Sequence, residues 1–498
     1  MKRLDQQISI PGLYKPASRA RKRSAEEGMP LFLFAFFFLL FITQGCKKFI
    51  DVPPPGTETY EPVVFTSNVT ATAAVTGIYS DMLAHNGLFS GNTRSVTALG
   101  ALSADELESY STEIVPREFY GNAISPANAA IETALWNEAY QHIYAANAVL
   151  EGLEKSAVVS PATRVQLQGE ALFIRAFCHF YLVNLFGDVP YLTTTNYKEN
   201  IVQARMSRTQ VYQQLIQDLQ AAQGRFDELP GLGQNYVYVS GERVRPNRWA
   251  ATALLARACL YAGNWAQAEA QASAVISQAD IYSLDTLRGV FLKNSREAIW
   301  QLEPNNTEGF NTWEGRNFIL STGPSNGESN SSVLSRHLLQ AFESGDQRRV
   351  AWVDSVIVDS TMYYFPAKYK VQTGAGQKEY SMVLRLAEQY LLRAEARARM
   401  GNVSAARADI DSVRRRAGLP PATAGNTTAL LAAIAQERRV ELFTEWGHRW
   451  LDLKRTGAAN AVLSMVKGPG WQPSDTLYPI PQRELSLNKN LTQNPGYN

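Results

Sequence analysis

The sequence predicts an all-α protein of tetratricopeptide-like helical hairpins, with long loop insertions and minor β-hairpins. Three observations carry this. Apolar and aromatic residues recur at three- and four-residue spacing over several long segments. A Gly-Asn break flanked by alanines occurs twice, and two stretches rich in Gly, Ser, Asn and aromatics escape helical spacing altogether.

The first helices are read from Trp136, Tyr140, Ile143, Tyr144 and Asn147, and from Ala171, Ile174, Phe177, Cys178, Tyr181 and Leu182. This spacing puts each set on one face, so these helices should pack through an aromatic-rich stripe. The second should stop at Gly187, which can cap it, before Pro190, which forbids its continuation. A third helix is expected from about Thr209 to Leu229, opened by Ser207 or Thr209 and closed by Pro230-Gly231. Then RACLYAGNWAQAEAQASAVI breaks at Gly263-Asn264 and RARARMGNVSAARADIDSVR at Gly401-Asn402. Ala258 and Ala396 precede each Gly by five, and Ala268 and Ala406 follow by five, so small residues flank the turn and two antiparallel helices can approach closely. Tyr236 to Val239 and Met362 to Tyr369 read as short strands.

Ahead of this body lies an export signal. A basic stretch, Arg19 to Arg23, precedes an apolar run from Leu31 to Ile42 and the small-residue step before Cys46. That run is shorter than the roughly 20 residues a membrane-spanning helix needs. Residues 1–45 are therefore read as a lipoprotein-type signal peptide and Cys46 as the lipidation site, although Thr43 stands where Leu is usual. Plain cleavage nearby, with Cys46 a free thiol, is the alternative. A start at Met29 would remove the basic stretch. Residues 46–60, with three consecutive prolines and a glycine in KKFIDVPPPGTET, read as an extended tether, and residues 61–498 as the helical domain.

Composition narrows the function. The 498 residues carry a formal net charge of +2, and residues 1–45 hold seven Lys/Arg against three Asp/Glu, so the mature chain stands at −2. Without a concentrated basic patch there is no electrostatic case for nucleic acid. Cys178 and Cys259 are expected to be buried free thiols; an exported compartment would also permit one disulfide. No Cys/His zinc spacing occurs, and no cofactor motif is found. Glu445 and His448, with Glu441 four residues before, have the Glu-x-x-His spacing of carboxylate-bridged metal sites, but no second copy accompanies them. The motif is read as fold, with Glu437, Arg438, Arg439, Glu441, Asp452, Lys454 and Arg455 in an ion-pair network holding the last helices.

The segments CKKFIDVPPPGT, GEALFIRAFCHFYLVNLFGDVPY, LRLAEQYLLRAEARARMGN, ERRVELFTEWGHRWLDLKRTG and YPIPQRELSLNKNLTQNPGYN resemble, in this order, the SusD/RagB-like nutrient-binding outer-membrane lipoproteins of Bacteroidetes. The resemblance implies a non-catalytic, lipid-anchored protein on the outer face of the outer membrane. It also implies an oligosaccharide ligand and a partner, a TonB-dependent (SusC-like) transporter that receives the ligand. A helical adaptor binding another protein or a peptide cargo is the alternative.

A sugar offers apolar C–H faces and hydroxyl rims, so its site needs exposed aromatic planes beside hydrogen-bonding side chains. The stretches from about Asn86 to Asn128 and from about Glu303 to Gly327 supply both. Candidate ligand-binding residues are Phe310, Asn311, Trp313 and Arg316 in one, and Asp105, Tyr110 and Tyr120 in the other. A glycosidase would need two carboxylates flanking the bond, for which Asp105, Glu106 and Glu108 are the nearest acids; a solvated acidic loop is the simpler reading.

Overall fold

A computed structural model describes residues 64–497 apart from 85, 230–241, 305–308 and 375. The leader, Cys46, the tether, the Pro230-Gly231 stop and the expected strand Tyr236–Val239 lie outside the described residues. No described helix is long and apolar enough to cross a membrane.

The chain opens with α1 (Asn68–Ala84), α2 (Val96–Ser103), β1 (Leu107–Ser109) and α3 (Ile114–Gly121). A π-helical segment, Ala130–Asn137, runs into α4 (Glu138–Lys155), which packs on α5 (Pro161–Phe186), and α5 on α6 (Arg208–Asp227). Ser160 caps α5, with Pro161 in its first turn. Ser207 and Gln210 form a reciprocal capping box on α6, satisfying two of the backbone N–H groups a helix start leaves open. Gly187 ends α5 with φ at 75°, a left-handed value that a side chain would oppose.

The expectation of a single aromatic stripe is corrected for α5. Every residue from Phe173 to Phe186 is buried, because helices pack around it on all sides. Its polar groups are therefore bonded internally. Arg175 pairs with Asp218 of α6 at 2.6 and 2.7 Å, and burial depresses the His179 imidazole to about 3, so its neutral ring bridges Arg175 O and Leu192 N. Cys178 and Cys259 are buried free thiols, and burial raises both.

The two Gly-Asn breaks become helical hairpins. They join α7 (Arg248–Tyr261) to α8 (Trp265–Ile276), and, further on, α10 (Leu386–Arg399) to α11 (Val403–Arg416). Gly263 and Gly401 take φ of 79° and 82°, and Asn264 and Asn402 cap the second helix of each pair. Ala258, Ala268, Ala396 and Ala406 are fully buried, and α8 packs on α10, so the hairpins stack against each other.

Between them lie β2 (Ala298–Leu302), α9 (Trp313–Phe318), β3 (Ser332–Leu334), β4 (Val353–Val358), β5 (Thr361–Pro366) and β6 (Ser381–Arg385). β4–β5 is the expected hairpin; β1–β3 and β2–β6 are antiparallel pairs between distant segments, not hairpins. Both stretches read as irregular also contain helix. The residues of α2 are buried all round, so no amphipathic period marks it, and α9 is too short to show one. The chain closes through α12 (Thr427–Glu441), α13 (His448–Arg455), α14 (Ala459–Lys467) and α15 (Gln482–Leu487).

The C-terminal ion-pair network exists, with partners drawn from further along the chain than the motif suggested. Glu441 accepts from Arg348 at 2.9 Å, from Arg385 at 2.5 Å and from Arg416, and Glu445 pairs with Arg385 and Lys368. Glu437 binds Arg348 and Arg414; Glu297 binds Arg385 and Arg416; Asp346 binds Arg348. Five carboxylates thus face five cations. Arg438 and Arg455 share Asp452 and Arg455 also holds Glu395, while Lys454 donates to Asn184 O over the Trp450 ring and pairs with none of the expected acids.

Removing one partner from such a cluster strands the others without water. Glu441→Gln should lower unfolding free energy by about 3–5 kcal/mol in urea titrations. Although burial opposes the charge, the guanidiniums of Arg416, Arg385 and Arg348 together hold the Glu441 carboxyl well below its usual range. Its folded value is depressed, so its contribution is full at neutral pH, persists above the unfolded value of about 4.3, and fades as pH falls toward the folded value. The wild type should therefore lose more stability than Glu441→Gln between pH 5 and acid, measured as the difference in urea midpoint.

Candidate functional site

Two insertions that are far apart in sequence meet on one surface. β1 pairs with β3 in the register Leu107↔Leu334 to Ser109↔Ser332, and Tyr110 N and Thr112 N continue the contact to Ser331 O and Asn326 O. Arg94 grips Glu328 with two bonds of 2.7 and 3.0 Å, and Asn317 donates to Asn92 Oδ1 at 2.8 Å. Nothing in either segment alone signals this pairing.

At the edge of that seam Tyr110 is 46% exposed, and Tyr363 of β5 meets it edge-on with ring centres 5.7 Å apart. Tyr120, at the end of α3, is half-buried over the Lys467 ammonium, 4.3 Å from its ring centre. Desolvation, with Tyr363 and Glu108 adding, raises the Tyr110 hydroxyl; desolvation, then Glu108 and Tyr110, raises that of Tyr120. These groups share one electrostatic neighbourhood, and both phenols stay neutral donors at ordinary pH. Lys467 also donates to Leu102 O and Tyr120 O, and burial lowers it to about 7.

The residues of the second insertion sit differently. Trp313 is half-buried; its indole donates to Leu83 O at 2.9 Å, and its ring lies 4.4 Å from that of Phe310, itself buried. Asn311 is buried and organises a neighbouring turn, donating to Gly376 O and accepting from Lys378 N and Glu379 N. Arg316 is exposed on α9. Trp313 therefore packs at the end of α1, with no ring contact to Tyr110 or Tyr120 among the described residues.

Asp105 is 2% exposed and bonds Arg449 at 2.6 and 2.9 Å and Arg439 at 2.7 Å. Against the cost of burial, Arg449 and then Arg439 hold its carboxyl below the usual range. It anchors the first insertion to α12 and α13. Glu106 beside it is buried, accepts from Thr444 N, and is raised to about 8, chiefly by desolvation and then by Asp105. Neither of these two acids of the glycosidase reading faces solvent. Sequence reading missed Tyr363, whose only signal was the Tyr363-Tyr364 pair in an expected strand; its partner is fixed by tertiary folding.

The architecture is thus a stack of helical hairpins carrying a non-repetitive loop surface with tyrosines at its edge. Comparison with known proteins gives the family. The sequence model of the SusD family matches residues 353–497, and that described as starch-binding associating with outer membrane matches residues 48–260. A SusD-like protein of Formosa agariphila is 24% identical over 94% of this chain and 98% of its own. The starch-binding protein SusD of Bacteroides thetaiotaomicron is 34% identical over 129 residues, 23% of this chain and 21% of its own. A SusD superfamily protein from Bacteroides vulgatus superposes with a TM-score of 0.74 at 20% identity, covering 86% of this chain and 99% of its own. A laminarin-binding SusD-like protein superposes at 0.69 with 25% identity, over 86% and 99%. The chain belongs to the SusD/RagB family.

The site separates surface from support. Tyr110→Ala should leave the urea midpoint unchanged, since the ring is half exposed, whereas Asp105→Asn should lower stability by about 3 kcal/mol or more by leaving Arg439 and Arg449 short of charge.

Proposed function

We propose that this protein is a non-catalytic cell-surface lipoprotein that captures an oligosaccharide and passes it to a TonB-dependent outer-membrane transporter. The observation that carries the capture step is the pair of exposed Tyr110 and half-buried Tyr363, beside half-buried Tyr120, on the seam where the two insertions meet. Flat amphipathic rings stack on sugar C–H faces, and their hydroxyls serve the rims. The family supports a carbohydrate ligand and outer-membrane association, through relatives described as starch-binding and laminarin-binding. Arg316 is an exposed donor in the second insertion, whereas Trp313 packs at the end of α1 and stands apart from these rings. Burial of Asp105 and Glu106 supports binding without hydrolysis.

In this reading residues 1–45 are removed, Cys46 carries the acyl chains, residues 46–60 form the tether, and residues 61–498 fold as the binding domain. The anchor holds the protein at the membrane while the tether lets the domain open and close over the transporter.

Calorimetry of the protein lacking residues 1–46 against neutral oligosaccharides should give saturable heat with no product. Tyr110→Ala and Tyr363→Ala should each weaken binding about ten-fold, as expected for loss of a stacking contact worth about 1.4 kcal/mol. Silence across the panel, or product formation, would refute the proposal. Separately, labelled palmitate fed to expressing cells should enter the wild type and not Cys46→Ala.

A further inference from the structure

A concave site lies elsewhere on the helical scaffold, lined by none of the residues of the tyrosine seam. It encloses about 510 Å³, within the range of small-molecule sites, between the start of α4, the segment 190–201 and α15. Its walls are fastened to one another. Tyr140 of α4 donates to Pro190 O at 2.9 Å and Asn147 to Leu192 O at 3.1 Å, while Asn488 and Asn490, just after α15, donate to Gln203 O and Val202 O. The cleft is thus preformed.

Its lining is aromatic and neutral. Trp136 and Tyr140 line it, while Tyr144 and Tyr197, 55% and 70% exposed, stand at its rim with no ring of another described residue against them. The side chains of Asn137 and Gln141 also line it, and neither is hydrogen-bonded to another of the described residues. No Lys, Arg, His or Asp contributes to the lining, and its one carboxyl, Glu484, is raised by desolvation and by Glu132, against a smaller opposing effect of Arg483. An anionic ligand would find no counter-charge among these residues and would meet Glu484. Trp136 and Asn137 reach the cleft from the π-helical Ala130–Asn137, a conformation that recurs at functional sites.

We infer that this cleft is a second saccharide-binding site, taking a neutral sugar unit that stacks on Tyr144 and Tyr197 and hydrogen-bonds to Asn137 and Gln141. The inference rests on the saccharide reading above but concerns different residues, so the two can fail separately. A second site on the same rigid scaffold would let one chain hold a polysaccharide at two points, raising its hold through effective concentration rather than through a stronger single contact.

Full-length protein labelled with 3-fluorotyrosine gives a fluorine signal for each tyrosine, with Tyr144, Tyr197, Tyr110 and Tyr363 assigned by the signal lost on Tyr→Phe substitution. It is titrated with neutral gluco-, manno-, galacto- and xylo-oligosaccharides, and with an oligogalacturonate as the anionic control. At least one neutral oligosaccharide should shift the Tyr144 and Tyr197 signals saturably, and should still do so in Tyr110→Ala. In Tyr144→Ala the shift at Tyr197 should need about ten-fold more ligand, and Tyr144→Trp should restore it. Both tyrosines are exposed, so thermal melts of these variants should match the wild type. If Tyr110 and Tyr363 respond while Tyr144 and Tyr197 do not, the second site is wrong and the proposed function stands. If none responds, both fall; if the cleft signals move only with oligogalacturonate, the neutral ligand class is wrong.

Discussion

The buried charge cluster centred on Glu441 and Arg385 is the constraint on which the remaining architecture rests. Its members come from the start of β2, the end of β6, the end of α11, the end of α12 and the turns between β3 and β6. Desolvating so many charges is costly. The cost is offset only when every carboxylate and guanidinium finds its partner at once, so the cluster admits one arrangement of these elements. Hydrophobic packing gathers around α5, every residue of which is buried from Phe173 to Phe186.

The loop surface proposed to bind ligand hangs from the same framework. Asp105 ties the first insertion to Arg439 of α12 and Arg449 of α13, and the β1–β3 ladder then ties the second insertion to the first. A chain of fixed contacts runs from the charge cluster through α12 to Tyr110, so exposed rings are held by buried bonds. Sites mounted on such support keep their geometry while the residues at the surface remain free to differ with ligand.

The preformed cleft beside α4 follows from a different part of the scaffold. Tyr140 and Asn147 each use a polar atom to hold the 190–194 segment, and this leaves the outward face of α4 uncovered. The helical stripe that marked Tyr144 as a packing residue is real, but its side chain is left 55% exposed.

What the sequence determined by itself was local and periodic: the longer helices, a cap at Ser207 or Thr209, the glycine stop at Gly187, and the hairpins at the two Gly-Asn turns. These depend on neighbours within a few residues, so spacing records them. It also marked the two insertions that form the loop surface, and the motifs that carry the family resemblance. Tertiary structure decided which candidates face water. Asp105, Phe310 and Asn311 went inside, Tyr110 stayed out, Tyr363 joined it from a hairpin some 250 residues away, and Tyr144 was left at the rim of a cleft. Burial and pairing across such separations depend on which surfaces are covered after the chain has packed, and residue spacing carries no record of that.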